Sequence, residues 1–473
     1  MRRLMTLSLA TSLAVLGTGA CSNFLSSDKV RLDPNNPSQA TADQLFVAVQ
    51  AGQFAQQEGI IALVGCMWLQ QCTGTSNFLS TLEKYNIASE DTPSAAFSAI
   101  YEGGGLVDVR QVEAALTARG DKQYLGIAQI WEVLDIAVAA DIYGDVPYRE
   151  AVSNATTPHL DPQAQVYADL QGLLDQAITN LGGTGPGPGI LDLVYQGNTS
   201  KWIDAANTIK ARLFMHTVET PTGFDAGALN NAITYGLKGI KSPANDLNSV
   251  HTTNPGEDNL WFQFYARSGF GQYVVAGQNL ADLMVARNDT FRLRQYFGPA
   301  NPGPGYGGQG LPPANTTSPA GVSSLTGLRN RPDFGQPIVT YVENELILAE
   351  AYFRLGQTAN AQTHFDNARA TVPGLGAKTI ATVNDIMEEK YIALYQNIEV
   401  WNDYKRTCYP AITAYPTTTF GNKVPGRLYY GTTEENVNSN IPNRNVQNQS
   451  GGNVVTPPPA NPGFRNPNDP NPC

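Results

Sequence analysis

Apolar residues recur every three or four positions over most of the first 245 residues and again from about 341 to 405, the period of helices that bury one face. This spacing predicts helices over 41–71, 94–117, 122–142, 164–181, 199–219, 225–239, 271–287, 341–356, 358–371 and 382–405. Thr41 is placed to cap the first of them. The apolar run at 60–69 has core length and is far short of the roughly 20 residues that cross a bilayer. Strand-like alternation is sparse. Two Pro/Gly-rich stretches, 182–189 and 289–337, interrupt the helical pattern. From Pro410 onwards Asn, Pro and Thr dominate, and little regular structure is expected after Gly451. The pattern predicts a mainly α fold with a large loop-rich insertion.

One segment carries a repeat signature. With Ala349 at position 8 of a 34-residue tetratricopeptide repeat, Tyr352, Ala361, Phe365, Ala368 and Pro373 fall at 11, 20, 24, 27 and 32. Small alanines let two helices of a hairpin approach closely, while Tyr352 and Phe365 are expected to fill the space between them. Residues 164–181 echo the second helix, through Leu170, Leu174 and Ala177, and 205–219 with 225–239 form a weaker pair. The expected scaffold is therefore a set of irregular tetratricopeptide-type helix pairs. Such repeats are generic interaction surfaces and name no function.

Composition narrows the function classes. The 473 residues carry a formal charge of −11, which disfavours a phosphate backbone or an anionic lipid surface as the main partner. The counts of 45 Gly and 31 Pro predict long, well-punctuated loops. Arg2 and Arg3, an apolar stretch to Leu16 and the small residues Thr18, Gly19 and Ala20 form a secretory leader, residues 1–20. Cys21 directly after the small residues resembles a bacterial lipobox and is the expected lipidation site, with the outer membrane as the address. Loss of the leader deepens the charge from −11 to −13.

Cys66, Cys72, Cys408 and Cys473 remain. In an oxidising compartment disulfides are plausible, and proximity favours Cys66 with Cys72, leaving Cys408 with Cys473. Free buried thiols are the bland alternative. A four-cysteine metal site is disfavoured by the Cys66–Cys72 spacing.

Catalytic motifs are missing. His159, His216, His251 and His364 form no metal-binding spacing, and neither a nucleophile elbow nor a Walker loop occurs. The glycine run at 303–308 follows no strand and opens no helix, so it reads as a loop. Glu343 with Glu345 and Glu388 with Glu389 sit on helical segments, where solvated or ion-paired faces are the rule. No cofactor, metal or enzymatic activity is expected.

The aromatic residues separate into two groups. Trp131 and Trp202 lie on amphipathic helices and read as core, as do Met387, Tyr391, Leu394, Tyr395, Ile398 and Trp401. Trp261, Phe262, Phe264 and Tyr265 cluster beside a polar loop, and Tyr296, Phe297 and Tyr306 lie in or near the insertion. Aromatic faces on loops are what sugar rings pack against, with Asn259, Gln263, Arg267, Gln272 and Gln278 available for the hydroxyls. The alternative is that these rings anchor a long loop. The residues expected to stack on a ligand are Trp68, Trp261, Phe262, Tyr265 and Tyr306.

A family resemblance then emerges. Gly144-Asp145-Val146-Pro147-Tyr148 with Glu150-Ala151, the helix from Trp202 through Ala206-Asn207 to Lys210-Ala211-Arg212-Leu213, and the closing segments Glu345 to Ala351, Glu388 to Tyr391 and Trp401 to Thr407 occur in order. The set resembles the SusD/RagB family of outer-membrane nutrient-binding lipoproteins. Lys390 stands where that family often has Arg, and Cys408 where it has Gly. The resemblance implies a right-handed scaffold of tetratricopeptide-type pairs with a loop-rich ligand unit. It divides the chain into a tether at 21–43, a single domain at 44–410 and a tail at 411–473, with scaffold at 44–245 and 338–408 and the binding unit at about 246–337. It also implies a surface-exposed lipoprotein of a Gram-negative bacterium that sits on a TonB-dependent barrel transporter and captures oligosaccharides without cleaving them, or peptides in the RagB branch. Gly144 and Pro147 are expected as turn formers, and Arg212 and Arg406 as buried ion-pair partners. An exported hydrolase is the remaining alternative.

Overall fold

The computed structural model describes residues 40–442, apart from 86–90, 154, 221, 268, 270–272, 312–318 and 416–422. Thr41 starts helix α1 (Ala42–Glu58) with a reciprocal box. Its hydroxyl accepts from Gln44 N, and its own backbone N donates to the Gln44 side chain. The long helix expected over 41–71 breaks at Gly59, and α2 (Ile60–Trp68) follows with Ile61 to Trp68 all buried. After β1 (Cys72–Gly74) and α3 (Asn77–Glu83) come α4 (Asp91–Tyr101) and α5 (Leu106–Arg119), where sequence periodicity predicted one helix. Gly104 separates them at φ 85°, and a Cβ on Gly52 of α1 would lie 2.9 Å from Gly104 O. The break thus lets two backbones touch.

The scaffold continues with α6 (Lys122–Tyr143), α7 (Gln163–Leu181), α8 (Thr199–Met215), the hairpin β2 (Glu219–Thr220) and β3 (Gly223–Phe224), and α9 (Ala226–Gly236). After the insertion come α12 (Tyr341–Arg354), α13 (Thr358–Ala370), α14 (Val383–Ala393), α15 (Glu399–Thr407) and α16 (Thr432–Val437). Helices pair as α6 with α7, α8 with α9 and α12 with α13, and α9 also packs on α12. In the last pair Ala349, Phe365 and Ala368 are buried in one cluster, and Ala361 is buried as well, as the repeat spacing predicts. Tyr352 behaves differently. It stays half-exposed and stacks on His364, with ring centroids 5.5 Å apart and planes 9° from parallel.

The insertion holds β4 (Leu247–Asn248), a π-helical turn at Phe262–Ala266, β5 (Val274–Ala276), α10 (Gln278–Ala286), α11 (Thr290–Tyr296), β6 (Ala300–Asn301), β7 (Val322–Ser323) and β8 (Pro337–Val339). Its strands form two-stranded antiparallel ladders: β1 with β5, β4 with β8 and β6 with β7. The helix expected over 271–287 begins only at Gln278, because Val274 and Val275 pair with β1 instead. Likewise 382–405 is two helices, with Gln396 at φ 64° between them.

The body does not end at 410, and the tail expected from 411 starts too early. Val424, Leu428, Tyr429, Tyr430 and Ile441 are buried in the main core. Leu428 N donates to Ile142 O, and Tyr430 stacks on Tyr143 at 6.1 Å. Arg212 and Arg406 are buried ion-pair partners, of Glu343 and Glu350. Gly144 makes its turn at φ 84°. Cys66 and Cys72 are disulfide-bonded, with Cα atoms 5.4 Å apart. Cys408 caps α15 in the left-handed region, while Cys473 and Cys21 lie outside the described residues. Among the described residues no helix is long and apolar enough to cross a membrane.

Candidate functional site

The disulfide closes a turn that feeds the chain into β1, whose residues Cys72 and Gly74 face Ala276 and Val274 of β5. Thr75 N extends the ladder by donating to Tyr273 O at 3.0 Å. In an antiparallel pair the chain leaving one strand and the chain approaching the other emerge at the same end. From that end the chain runs on from β1 into α3, and the π-helical turn precedes β5 in the sequence. Phe78 of α3 is 58% exposed and Phe264 of the turn 51% exposed.

The opposite end of the ladder supports the Tyr306 loop. Gly277 bridges Gln309, and Thr73 Oγ1 donates to Gln309 O at 3.1 Å. A Cβ on Gly308 would lie 2.4 Å from the Gly277 carbonyl carbon, so the glycine run lets this loop lie flat on the ladder. One small support thus carries three aromatic-bearing segments.

The π-helical turn is held from within. Asn259 Oδ1 accepts from Trp261 N at 2.9 Å and Phe262 N at 3.1 Å, and its Nδ2 donates to Phe334 O. Gln263 Nε2 donates to Asp258 O at 2.6 Å. These two amides, expected to meet sugar hydroxyls, are thereby committed to the loop itself. His251 fixes the segment leading to the turn, with Nε2 2.8 Å from Glu58 Oε1 at the end of α1. Burial alone would lower its pKa, but the bond and charge of Glu58 raise it above the usual histidine value.

The expected stacking residues divide by exposure. Trp68 and Trp261 are fully buried, which removes them as ligand platforms in this conformation. Trp68 ends the all-buried α2, donates Nε1–H to Leu82 O at 2.9 Å, and packs edge-on against Tyr85 and Trp401. Trp261 is the inward residue of its turn, with the Tyr265 ring 5.4 Å away. Phe262 is half-buried, and Tyr265 and Tyr306 pack one side on the core while keeping part of each ring exposed. Burial pushes the Tyr265 phenol up, so it offers a neutral hydroxyl at physiological pH. Arg267 and Gln278 are exposed, and Gln272 lies outside the described residues. Phe78 was not singled out from the sequence. Its signal was phase: Leu79 and Leu82, three apart, bury one helix face, which turns Phe78 outward.

Similar solved structures share this fold. A chitin-binding protein is 21% identical, covering 88% of this chain and 98% of that one, with a TM-score of 0.72. A SusD/RagB family protein from Bacteroides thetaiotaomicron is 20% identical over 85% of this chain and 95% of its own, with a TM-score of 0.69. A chitin-binding SusD homolog from Flavobacterium johnsoniae is 19% identical over 89% and 98%, with a TM-score of 0.66. No curated protein matches the chain. The SusD-like family model, described as starch-binding and associating with the outer membrane, matches residues 34–431, and the chain belongs to that family.

Proposed function

We propose that the protein is a non-catalytic, surface-held lipoprotein, anchored through Cys21, that captures oligosaccharides and delivers them to a TonB-dependent barrel transporter. The observation that carries the capture step is the exposure of Phe78 and Phe264, on the helix that follows β1 and the turn that precedes β5. Phe262 and Tyr265 add partly exposed rings on the same turn as Phe264, and Tyr306 adds one on the loop at the other end of the ladder. Exposed rings on braced loops suit the C–H faces of sugars. The family description as starch-binding and the chitin-binding titles of two similar structures support a polysaccharide fragment as the ligand class.

The test is calorimetric titration of the full chain against starch-, chitin- and other glycan-derived oligosaccharides, with a peptide library as counter-panel. The double variant Phe78→Ala/Phe264→Ala is expected to weaken glycan binding about tenfold or more at an unchanged melting temperature. Unchanged affinity would remove the aromatic face from the mechanism. Selective binding of peptides would move the protein to the RagB-type reading. Co-purification of a barrel transporter from outer membranes tests the delivery step.

A further inference from the structure

Segments distant in sequence meet at one buried point. Asp141 lies near the end of α6, His216 follows α8, and Glu399, Asn402, Lys405 and Arg406 lie on α15. The His216 ring is wedged between carboxylates. Its Nε2 is 2.8 Å from Glu399 Oε2, and its Nδ1 is 3.0 Å from Asp141 Oδ1, the second contact lying off the N–H axis. A ring with a carboxylate against each nitrogen keeps both protons. Burial alone would lower its pKa, but Asp141 and Glu399 raise it to about 10.

Among the described residues, Asp141, His216 and Glu399 are the group whose ligand atoms lie within the 4.8 Å that a metal ion would need. The surroundings oppose a metal. Both ring nitrogens face acceptors already, Arg212 Nη1 is 3.7 Å from Glu399, and Lys405 Nζ donates to Asp141 O at 2.5 Å. The Asp141 carboxylate also accepts from Tyr167 Oη at 2.6 Å and from Asn402 Nδ2, so a divalent ion would have to displace donors already in place.

Beside the ring is a hollow of about 10 Å³, near the smallest that admits one water. Asn402 and Arg406 both line it. Asn402 Nδ2 donates to Asp141 at 3.0 Å and to Glu399 at 3.2 Å, while its Oδ1 has no protein partner. Arg406 commits Nη1 to Glu219 and Glu350 and Nη2 to Glu350 and Asp403, while its Nε has none. Both side chains are more than nine-tenths buried. An orphan acceptor and an orphan donor on one water-sized hollow are costly unless something with both functions joins them. The carboxylates beside it exclude an anion.

We propose that this hollow binds one structural water, which accepts from Arg406 Nε and donates to Asn402 Oδ1, and that the His216 imidazolium takes the electrostatic place a metal ion would have in the cluster. The site ties α6, α8 and α15 together without a cofactor.

The test uses the unaltered full chain. A crystal structure at water-resolving resolution is expected to show one peak within hydrogen-bond distance of both atoms. Soaks with Zn²⁺ and Co²⁺ are expected to give no anomalous peak there and no shift in melting temperature. Nitrogen-15 spectra are expected to show both His216 nitrogens protonated from pH 6 to pH 8. A dry hollow, an anomalous peak at the cluster or a neutral His216 ring in that range would each overturn the proposal.

Discussion

At the scale of single residues, buried charge governs stability, and its sign depends on the partners. Glu389 is 1% exposed and faces three guanidiniums: Arg287 at 2.5 Å, and Arg292 and Arg369 at 2.6 Å each. Burial alone would raise its pKa, but these arginines, Arg292 most, hold it at about 2. The folded pKa is below the unfolded value of about 4.3, so the stabilisation is complete above that pH and fades as pH falls toward 2. Glu389→Gln is expected to cost about 3–5 kcal/mol at pH 7 and to flatten the acid limb of stability, read by urea denaturation at several pH values. Asp135 is the opposite case. Burial pushes its carboxyl up, the side chains of Gln53 and Gln56 only partly offset this, and neither oxygen has a close hydrogen-bond partner. With the folded pKa raised, stability falls as pH climbs above the unfolded value of about 3.9. Asp135→Asn is therefore expected to gain about 1–3 kcal/mol at pH 7, and a lower urea midpoint would contradict this. The ion pairing of Glu389 was legible from its helical setting. The burial of Trp68 and Trp261 was not, because exposure is decided by packing partners such as Trp401, far away in sequence.

At the scale of elements, helical periodicity carried most of the scaffold, since α6 to α9, α12 and α13 follow their apolar spacing closely. It missed the breaks whose cause is long-range. Gly104 ends a helix because Gly52 approaches it, and Val274 leaves the helical pattern because β1 supplies a pairing edge. The candidate site was legible as a group of loop aromatics but not as an assembly, because the ladder that unites them joins residues about 200 positions apart. The Tyr306 loop reaches that ladder through the Gln309 hydrogen bonds and a close glycine contact beside them. Gly308→Ala is expected to overpack this contact by about 1–3 kcal/mol. The measurable outcome is weaker glycan binding and faster amide exchange in residues 303–309, with the helical circular dichroism unchanged. Unaltered exchange would mean that the loop is not held there.

At the scale of the whole molecule, much of the scaffold and the loop-rich insertion share one core, since Trp68, Trp261, Trp401 and Tyr430 belong to a single cluster. The Cys66–Cys72 bond is embedded in it, with both cysteines fully buried. Replacing both by Ser is expected to lower stability by about 2 kcal/mol, as chain entropy predicts for so short a loop, and a matched loss on adding reductant to the unfolded parent checks the cause. The same core has a consequence for how the chain is made. The Trp68–Trp401 contact and the Leu428 N to Ile142 O bond join early sequence to late sequence. A chain emerging end-first, from a ribosome or a translocation channel, cannot complete its interior until residue 430 is through. For nearly its whole passage it remains threadable and in need of holding factors, and it locks only as the last segment arrives.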